Sequence, residues 1–181
     1  MTESRVLIIN QCFYPDVAAT AQHAWDLARE LNSRGYRVSA IASRSVYGQR
    51  GAQLAAAETV AGIKIHRVGS SWFGKGSIVG RIFDFAAFYV LAAWKALTIS
   101  RQNVVICLST PPFIVLVGIV LRAIRGGKVV YWVMDLYPDL PITCGVLAPT
   151  SPFAMLLEAV HRWCLRPVSY THLTLPTILR V

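Results

Sequence analysis

Apolar and polar residues follow one another along this chain in two rhythms. Short β-branched runs mark strands at Arg5 to Asn10 (RVLIIN), Arg37 to Ala42 (RVSAIA) and Asn103 to Leu108. Between the first two, Ala19 to Ser33 places Ala21, Ala24, Trp25, Ala28 and Leu31 on one face, with Asp26, Arg29 and Glu30 elsewhere. That is the period of an amphipathic helix. Gly35 follows it, where helices commonly stop. The opening segment therefore predicts a β-α-β unit with a right-handed crossover.

Ile63 to Val68 (IKIHRV) alternates like a half-exposed strand. Ser43 to Ala61 predicts a polar loop with an alanine-rich middle, and Ser70 to Ser77 a flexible connection. Ile78 to Ile99 predicts a long apolar helix. The strand at Asn103 to Leu108 breaks at Ser109-Thr110-Pro111-Pro112, a helix runs on to Ile124, and Gly126-Gly127 precede the run Val129 to Met134. After Asp139 a loop with Pro141 and Gly145 leads to a helix that Ser151-Pro152 begins, serine as cap and proline in the first turn. It continues through Leu156, Leu157, Val160 and Trp163. Strands alternating with helices predict an α/β fold, a Rossmann-like doubly wound parallel sheet.

Composition narrows the partners. With 181 residues, 55% of them hydrophobic and 15% charged, the chain can bury one domain core and is too apolar for disorder. A net charge of +9 favours anionic partners such as nucleotide phosphates, pyrophosphates or acidic lipid. Nucleic acid is not expected, because Lys and Arg are scattered rather than gathered in a stripe with aromatics. Cys12, Cys107, Cys144 and Cys164 lie far apart, with neither a CxxC pair nor zinc-type Cys/His spacing. No metal site is expected, and the pattern fits a reducing cytosol. Met1 to Ser4 runs straight into a strand, so no signal peptide is expected. Phe85 to Trp94 and Pro112 to Leu121 are each about half of the roughly 20 residues a membrane-spanning helix needs.

The text changes character from Val168 (VSYTHLTLPTILRV). The plainer reading is a terminal strand, since Tyr170, His172 and Thr174 alternate with other residues. Val168 to Thr177 instead reads as the translation of a sequencing adapter joined to a broken gene end, with Pro167 at the junction and Ile178 to Val181 as index sequence. The expectation is a natural domain over residues 1–166 and a non-native tail over 167–181.

Ligands of open α/β sheets gather past the carboxyl ends of strands. Such an end carries KVVYWVMDLYPD, where a buried-type run stops at Asp135 and Asp139 with Tyr137 and Pro138 between them. Asp135 there can orient a hydroxyl or act as base, and Tyr137 can stack on a ring. The alternative is that both carboxylates cap backbone amides, worth about 1 kcal/mol each. The turn from Asn10 to Thr20 has no glycine, which disfavours a dinucleotide oxidoreductase. Ala18, Ala19 and Thr20 still allow close approach of an anion to a helix N-terminus; helix capping by Asp16 or Thr20 is the alternative. Ser109 to Pro112 should line the same edge, with Thr110 as a hydrogen-bond donor. His23, His66 and His161 form no local set with an acid or a nucleophile. There is no GxSxG elbow, P-loop or HExxH.

Taken together, RVLIINQCFYPDVAATAQHAWDLARELNSRGYRVSAIASRSVYG, LSTPPF, KVVYWVMDLYPDLPITCGVL and SPFAMLLEAVHRW resemble the N-terminal half of a family 4 glycosyltransferase, of the bacterial cell-surface polysaccharide type. The likeness covers Arg5 to Arg166. It implies the GT-B architecture, two Rossmann-like domains facing a cleft, with the N-terminal one receiving the acceptor and the other holding a nucleotide-sugar. The implied reaction is sugar transfer with retention of configuration, without metal or cofactor, the nucleotide-sugar being a co-substrate. By the same resemblance Pro15, Asp16, Ala18, Ala19 and Thr20 lie near the donor phosphates and the transferred sugar. Ser109, Thr110 and Pro111 line the cleft, Tyr137 and Asp139 contact substrate, and Asp135 is the catalytic candidate. Met134 stands where many members have histidine, and Ala18-Ala19 where many have paired glycines. A fragment ending near Arg166 should not turn over alone.

Acceptors in this subgroup are often glycans or polyprenyl-pyrophosphate-linked sugars at the inner leaflet. The resemblance thus implies a cytoplasmic protein with a peripheral inner-membrane contact, to which Lys75, Arg81 and Lys95 could contribute. Packing of the apolar helix on its own sheet is the alternative. A rival reading of the whole chain is a non-catalytic Rossmann-like binding or partner domain. A sugar epimerase or reductase is disfavoured by the missing glycine fingerprint.

Overall fold

Apolar runs with unpaired backbone groups can be buried only side by side, where each N–H and C=O finds a partner. The computed structural model describes residues 4–46, 49–69 and 78–173. In chain order its elements are β1 (Arg5–Ile9), α1 (Ala19–Ser33), β2 (Arg37–Ser43), β3 (Ser45–Val46), β4 (Gln49–Gln53), β5 (Ala57–Val60), β6 (Ile63–Val68), α2 (Ile78–Thr98), β7 (Val104–Cys107), α3 (Val115–Arg125), β8 (Lys128–Val133), α4 (Asp139–Thr143), α5 (Pro152–Leu165) and β9 (Tyr170–Leu173).

One sheet runs β5-β6-β2-β1-β7-β8-β9, and a separate ribbon pairs β3 with β4. Every pairing in the large sheet is parallel except that of β5 with β6. Alternation along β1 explains the layering: Val6 and Ile8 join one buried cluster with α1, while Leu7 and Ile9 join the other with α2, α3 and α5. Each fully buried aliphatic side chain contributes about 1.5–3 kcal/mol. The chain is therefore a doubly wound, Rossmann-like α/β sheet with helices on both faces.

Gly118 lets α3 approach the sheet closely. A Cβ there would lie 2.8 Å from Cys107 Sγ and 3.2 Å from Val129 Cγ1.

Two segments differ from the sequence expectation. Ser43 to Ala61 is not a loop throughout, for it contains β3, β4 and β5. β5 (AETV) has little apolar alternation and is held by its antiparallel ladder to β6. Ala61 and Gly62, both at positive φ, close that hairpin in two residues, as such turns require. The stretch after Asp139 is the short helix α4; Pro141 sits in its first turn, where the missing N–H costs nothing. Tyr170–Leu173 forms β9 beside β8. Just before it, Ser169 Oγ accepts the Val129 N–H at 3.2 Å and Val168 packs against the core cluster. Ser70 to Ser77, with Lys75, and residues 174–181 lie outside the described residues.

Candidate functional site

The chain leaves β1 through α1 toward β2 on one side, and returns through α2 to β7 on the other. The winding direction thus reverses between β1 and β7, the point in open α/β sheets beyond whose strand carboxyl ends ligands gather. β8 is the next strand over. With strands about 4.8 Å apart, the loops leaving β1, β7 and β8 sit within roughly 10 Å of one another. These loops carry Pro15 to Thr20, Ser109 to Pro111, and Asp135 to Asp139.

Main-chain bonds tie the loops together. Gln11 N–H donates to the Thr110 carbonyl at 2.8 Å, and Ser43 N–H donates to the Gln11 carbonyl at 2.8 Å. Ser109, 1% exposed, bridges to the β8 loop by its side chain. Its Oγ accepts N–H from Met134 at 3.1 Å and from Asp135 at 3.0 Å, and its hydroxyl donates to Asp135 Oδ2 at 3.4 Å. That fills the donor and acceptor capacity of one hydroxyl. Ser109 lines the edge as expected, and its hydrogen bonds hold the start of the loop that carries Asp135.

In the first loop Asp16 is buried, and its Oδ1 accepts N–H from Ala18 at 3.1 Å, a local turn rather than a helix cap. The N-cap of α1 is Ala18, with no side-chain cap bond, and Thr20 lies inside the helix. Capping by Asp16 or Thr20 is therefore not what orders this turn. Pro15 and Ala19 are exposed, Ala18 and Thr20 half-buried. Tyr14 stacks on Trp25, ring centres 4.5 Å apart. The Tyr14 carbonyl accepts from Arg67 at 2.7 Å. Arg67 itself is buried and pairs with Glu58 at 2.5 Å.

On the β8 side, Asp135 and Tyr137 are half-buried, Pro111 is buried and Thr110 half-buried. Burial, and then the Asp135 carboxylate, raise the Tyr137 pKa, so its phenol stays a donor. Asp139 is exposed in the first turn of α4, where the helix dipole favours a carboxylate.

Two further residues belong to this edge. Asn10, fully buried at the end of β1, donates its Nδ2 to the Cys12 carbonyl at 2.6 Å, while its Oδ1 has no hydrogen-bond partner. Such an orphan acceptor costs about 1–3 kcal/mol. His161 on α5 packs 6.3 Å from both the Phe113 and Tyr131 rings, with Phe113 in turn 6.1 Å from Tyr137. Burial lowers the His161 pKa, Asp139 acting in the opposite sense, and its Nδ1 lacks a partner. Phe113 adopts φ 62°, a left-handed conformation costing about 1–2 kcal/mol and typical of sites held by their surroundings. Nothing local in the sequence marks His161; only the packing of α5 brings it here.

The edge can therefore present a carboxylate, a phenol donor, a neutral imidazole and an open helix N-terminus. Among the described residues no group of three or more His, Cys, Asp and Glu is gathered as a metal ion would need. A separate concavity lined by Asp26, Arg29, Glu30, Asn32, Ser33 and Ala61 lies at the last turns of α1, away from these loops. No protein-family model matches the chain, and no curated protein matches it either.

Proposed function

We propose that this chain is the acceptor-side domain of a glycosyltransferase, moving a sugar from a nucleotide-sugar donor to a lipid-linked or glycan acceptor in cell-surface polysaccharide assembly. One observation carries the reading: the YPDVAAT, STPP and DLYPD segments, far apart in the chain, leave three neighbouring strands where the winding reverses. An acceptor hydroxyl held by Asp135 would attack the anomeric carbon as the bond from that carbon to the diphosphate oxygen breaks. The hydroxyl proton passes to a carboxylate or to the leaving phosphate. N–H groups at the N-terminus of α1, free of a side-chain cap, suit the negative charge that develops on the diphosphate. A second Rossmann-like domain would supply the opposite wall and the nucleotide pocket.

The test uses the gene extended past Arg166, assayed with nucleotide-sugars and a prenyl-linked acceptor. Asp135→Asn should lower kcat about a hundredfold or more. Unchanged turnover would remove Asp135 from the mechanism. A native stop codon directly after Arg166 would favour the rival reading, a non-catalytic Rossmann-like binding domain.

A further inference from the structure

A large side chain left in water keeps its rotamer freedom unless something holds it. Tyr14, in the loop after β1, is 36% exposed and is held twice. Its ring stacks on Trp25, centres 4.5 Å apart and planes 28° from parallel. Trp25 in turn meets the buried Phe13 edge-on at 5.9 Å, so the stack is founded in the core. The Tyr14 carbonyl accepts from Arg67 Nη2 at 2.7 Å. Arg67 begins on β6, two strands from β1, and reaches this loop past Ala42, its small in-register neighbour on β2. Glu58 at 2.5 Å and the Ala55 carbonyl at 3.3 Å fix the guanidinium. The buried charge is thus compensated, and one of its bonds serves to place Tyr14.

A rigid aromatic ring that is partly in water offers contact area without an ordering cost on binding. Its face carries partial negative charge, on which the C–H face of a pyranose, or a flat base, can lie. The neighbouring positions choose between the two. Pro15, Val17 and Ala19 are exposed and carry no side-chain donor or acceptor, and Asp16 is buried on the Ala18 N–H. This run cannot read the edge of a base. A sugar keeps its hydroxyls in water while its C–H face covers Tyr14 and the adjoining Val17, itself 72% exposed. We propose that Tyr14 is a stacking platform for a pyranose ring of the ligand, and that Arg67 is the positioning residue that holds it. Asp135 follows β8, two strands from β1, so strand ends roughly 10 Å apart separate the platform from that carboxylate. The ring on Tyr14 is therefore not the one whose hydroxyl reacts, and its contact is the same in ground and transition states. The identity of the ligand rests on the glycosyl-transfer reading; the fixing of the ring does not.

Saturation-transfer NMR on the full chain, with disaccharides of glucose, galactose and N-acetylglucosamine, tests the platform without turnover. At least one should receive saturation through its C–H protons, and Tyr14→Ala should weaken that binding about tenfold. Tyr14→Phe and Tyr14→Trp keep a ring and should retain it. Arg67→Gln frees the loop and should weaken it about threefold or more. Tyr36→Ala removes a similarly exposed tyrosine, 39%, from the opposite end of the sheet and should change nothing. Circular dichroism confirms that each variant is folded. In the gene extended past Arg166, Tyr14→Ala should raise the acceptor KM about tenfold at unchanged kcat, unlike Asp135→Asn. The platform is overturned if no disaccharide is saturated, if Tyr14→Ala binds as the wild type does, or if uridine binds in their place. Wild-type binding in a folded Arg67→Gln chain overturns the positioning role. Disaccharide binding that needs Tyr14, in a protein without transferase activity, keeps the platform and removes the glycosyl-transfer reading.

Discussion

The hydroxyl oxygen of Ser109 lies 3.0 Å from the backbone nitrogen of Asp135 and accepts its N–H, so the end of β7 fixes how the acidic loop leaves β8. The same oxygen accepts the Met134 N–H. One buried side chain thus serves two amides that the end of the ladder leaves unpaired.

Ser109→Ala removes that acceptor and strands both N–H groups in a buried place. The expected loss is about 1–3 kcal/mol, read from urea unfolding. Ser33 also makes a side-chain hydrogen bond, its hydroxyl donating to the Glu30 carbonyl at 2.8 Å, but both residues are exposed and water can take its place. Ser33→Ala should cost less than about 0.5 kcal/mol. Equal losses in the two variants would show that burial is not what makes Ser109 matter.

Gly118→Ala sets two effects against each other. Alanine gains up to about 1 kcal/mol of helix propensity over glycine, whereas overpacking a tight core costs about 1–3 kcal/mol. With Cys107 Sγ at 2.8 Å and fully buried, the clash should win, leaving the variant about 1–2 kcal/mol less stable. In a Cys107→Ala background the obstructing sulfur is gone, and Gly118→Ala should be neutral or stabilising. Additive losses in the double variant would exclude the clash as the cause.

Stability should fall on mild acidification. His66 and His161 both have pKa values held below the ordinary 6.5, chiefly by burial. Lys95 and Lys64 add to the shift at His66, and Asp139 opposes it at His161. The unfolded chain takes up these protons near 6.5 while the folded chain still resists them. The unfolded state therefore binds more protons, and stability rises with pH through this window. The contribution is whole above 6.5 and is lost as pH falls through the lower folded-state values. Urea midpoints measured between about pH 7.5 and 5 should decline, and His66→Gln with His161→Gln should flatten the curve. A midpoint that does not change over that range in the wild type would contradict the burial of both rings.

Periodicity made the central strands and the long helices legible, because burial writes itself into near-continuous apolar runs such as VLII and VVYWV. β5 left no such mark: it sits at a sheet edge, and AETV owes its place to a backbone ladder and a two-residue turn. The loops of the candidate site were legible as strand ends. Their fastening was not. Ser109 meets Met134 and Asp135 across 25 and 26 residues, and Arg67 reaches the Tyr14 carbonyl across 53. No local pattern encodes such distances. For the same reason His161, set aside in the sequence for want of a neighbouring acid, gained its ring partners only through the docking of α5.

The fastening of the first two loops uses main-chain atoms, Gln11 N–H on the Thr110 carbonyl and Ser43 N–H on the Gln11 carbonyl. Exposed positions beside them, such as Val17, Ala19 and Leu140, are thereby relieved of structural duty. A lineage can exchange those side chains codon by codon and change which molecule rests there, while the frame that receives it stays put. Chemical preference and architecture are free to evolve on separate clocks.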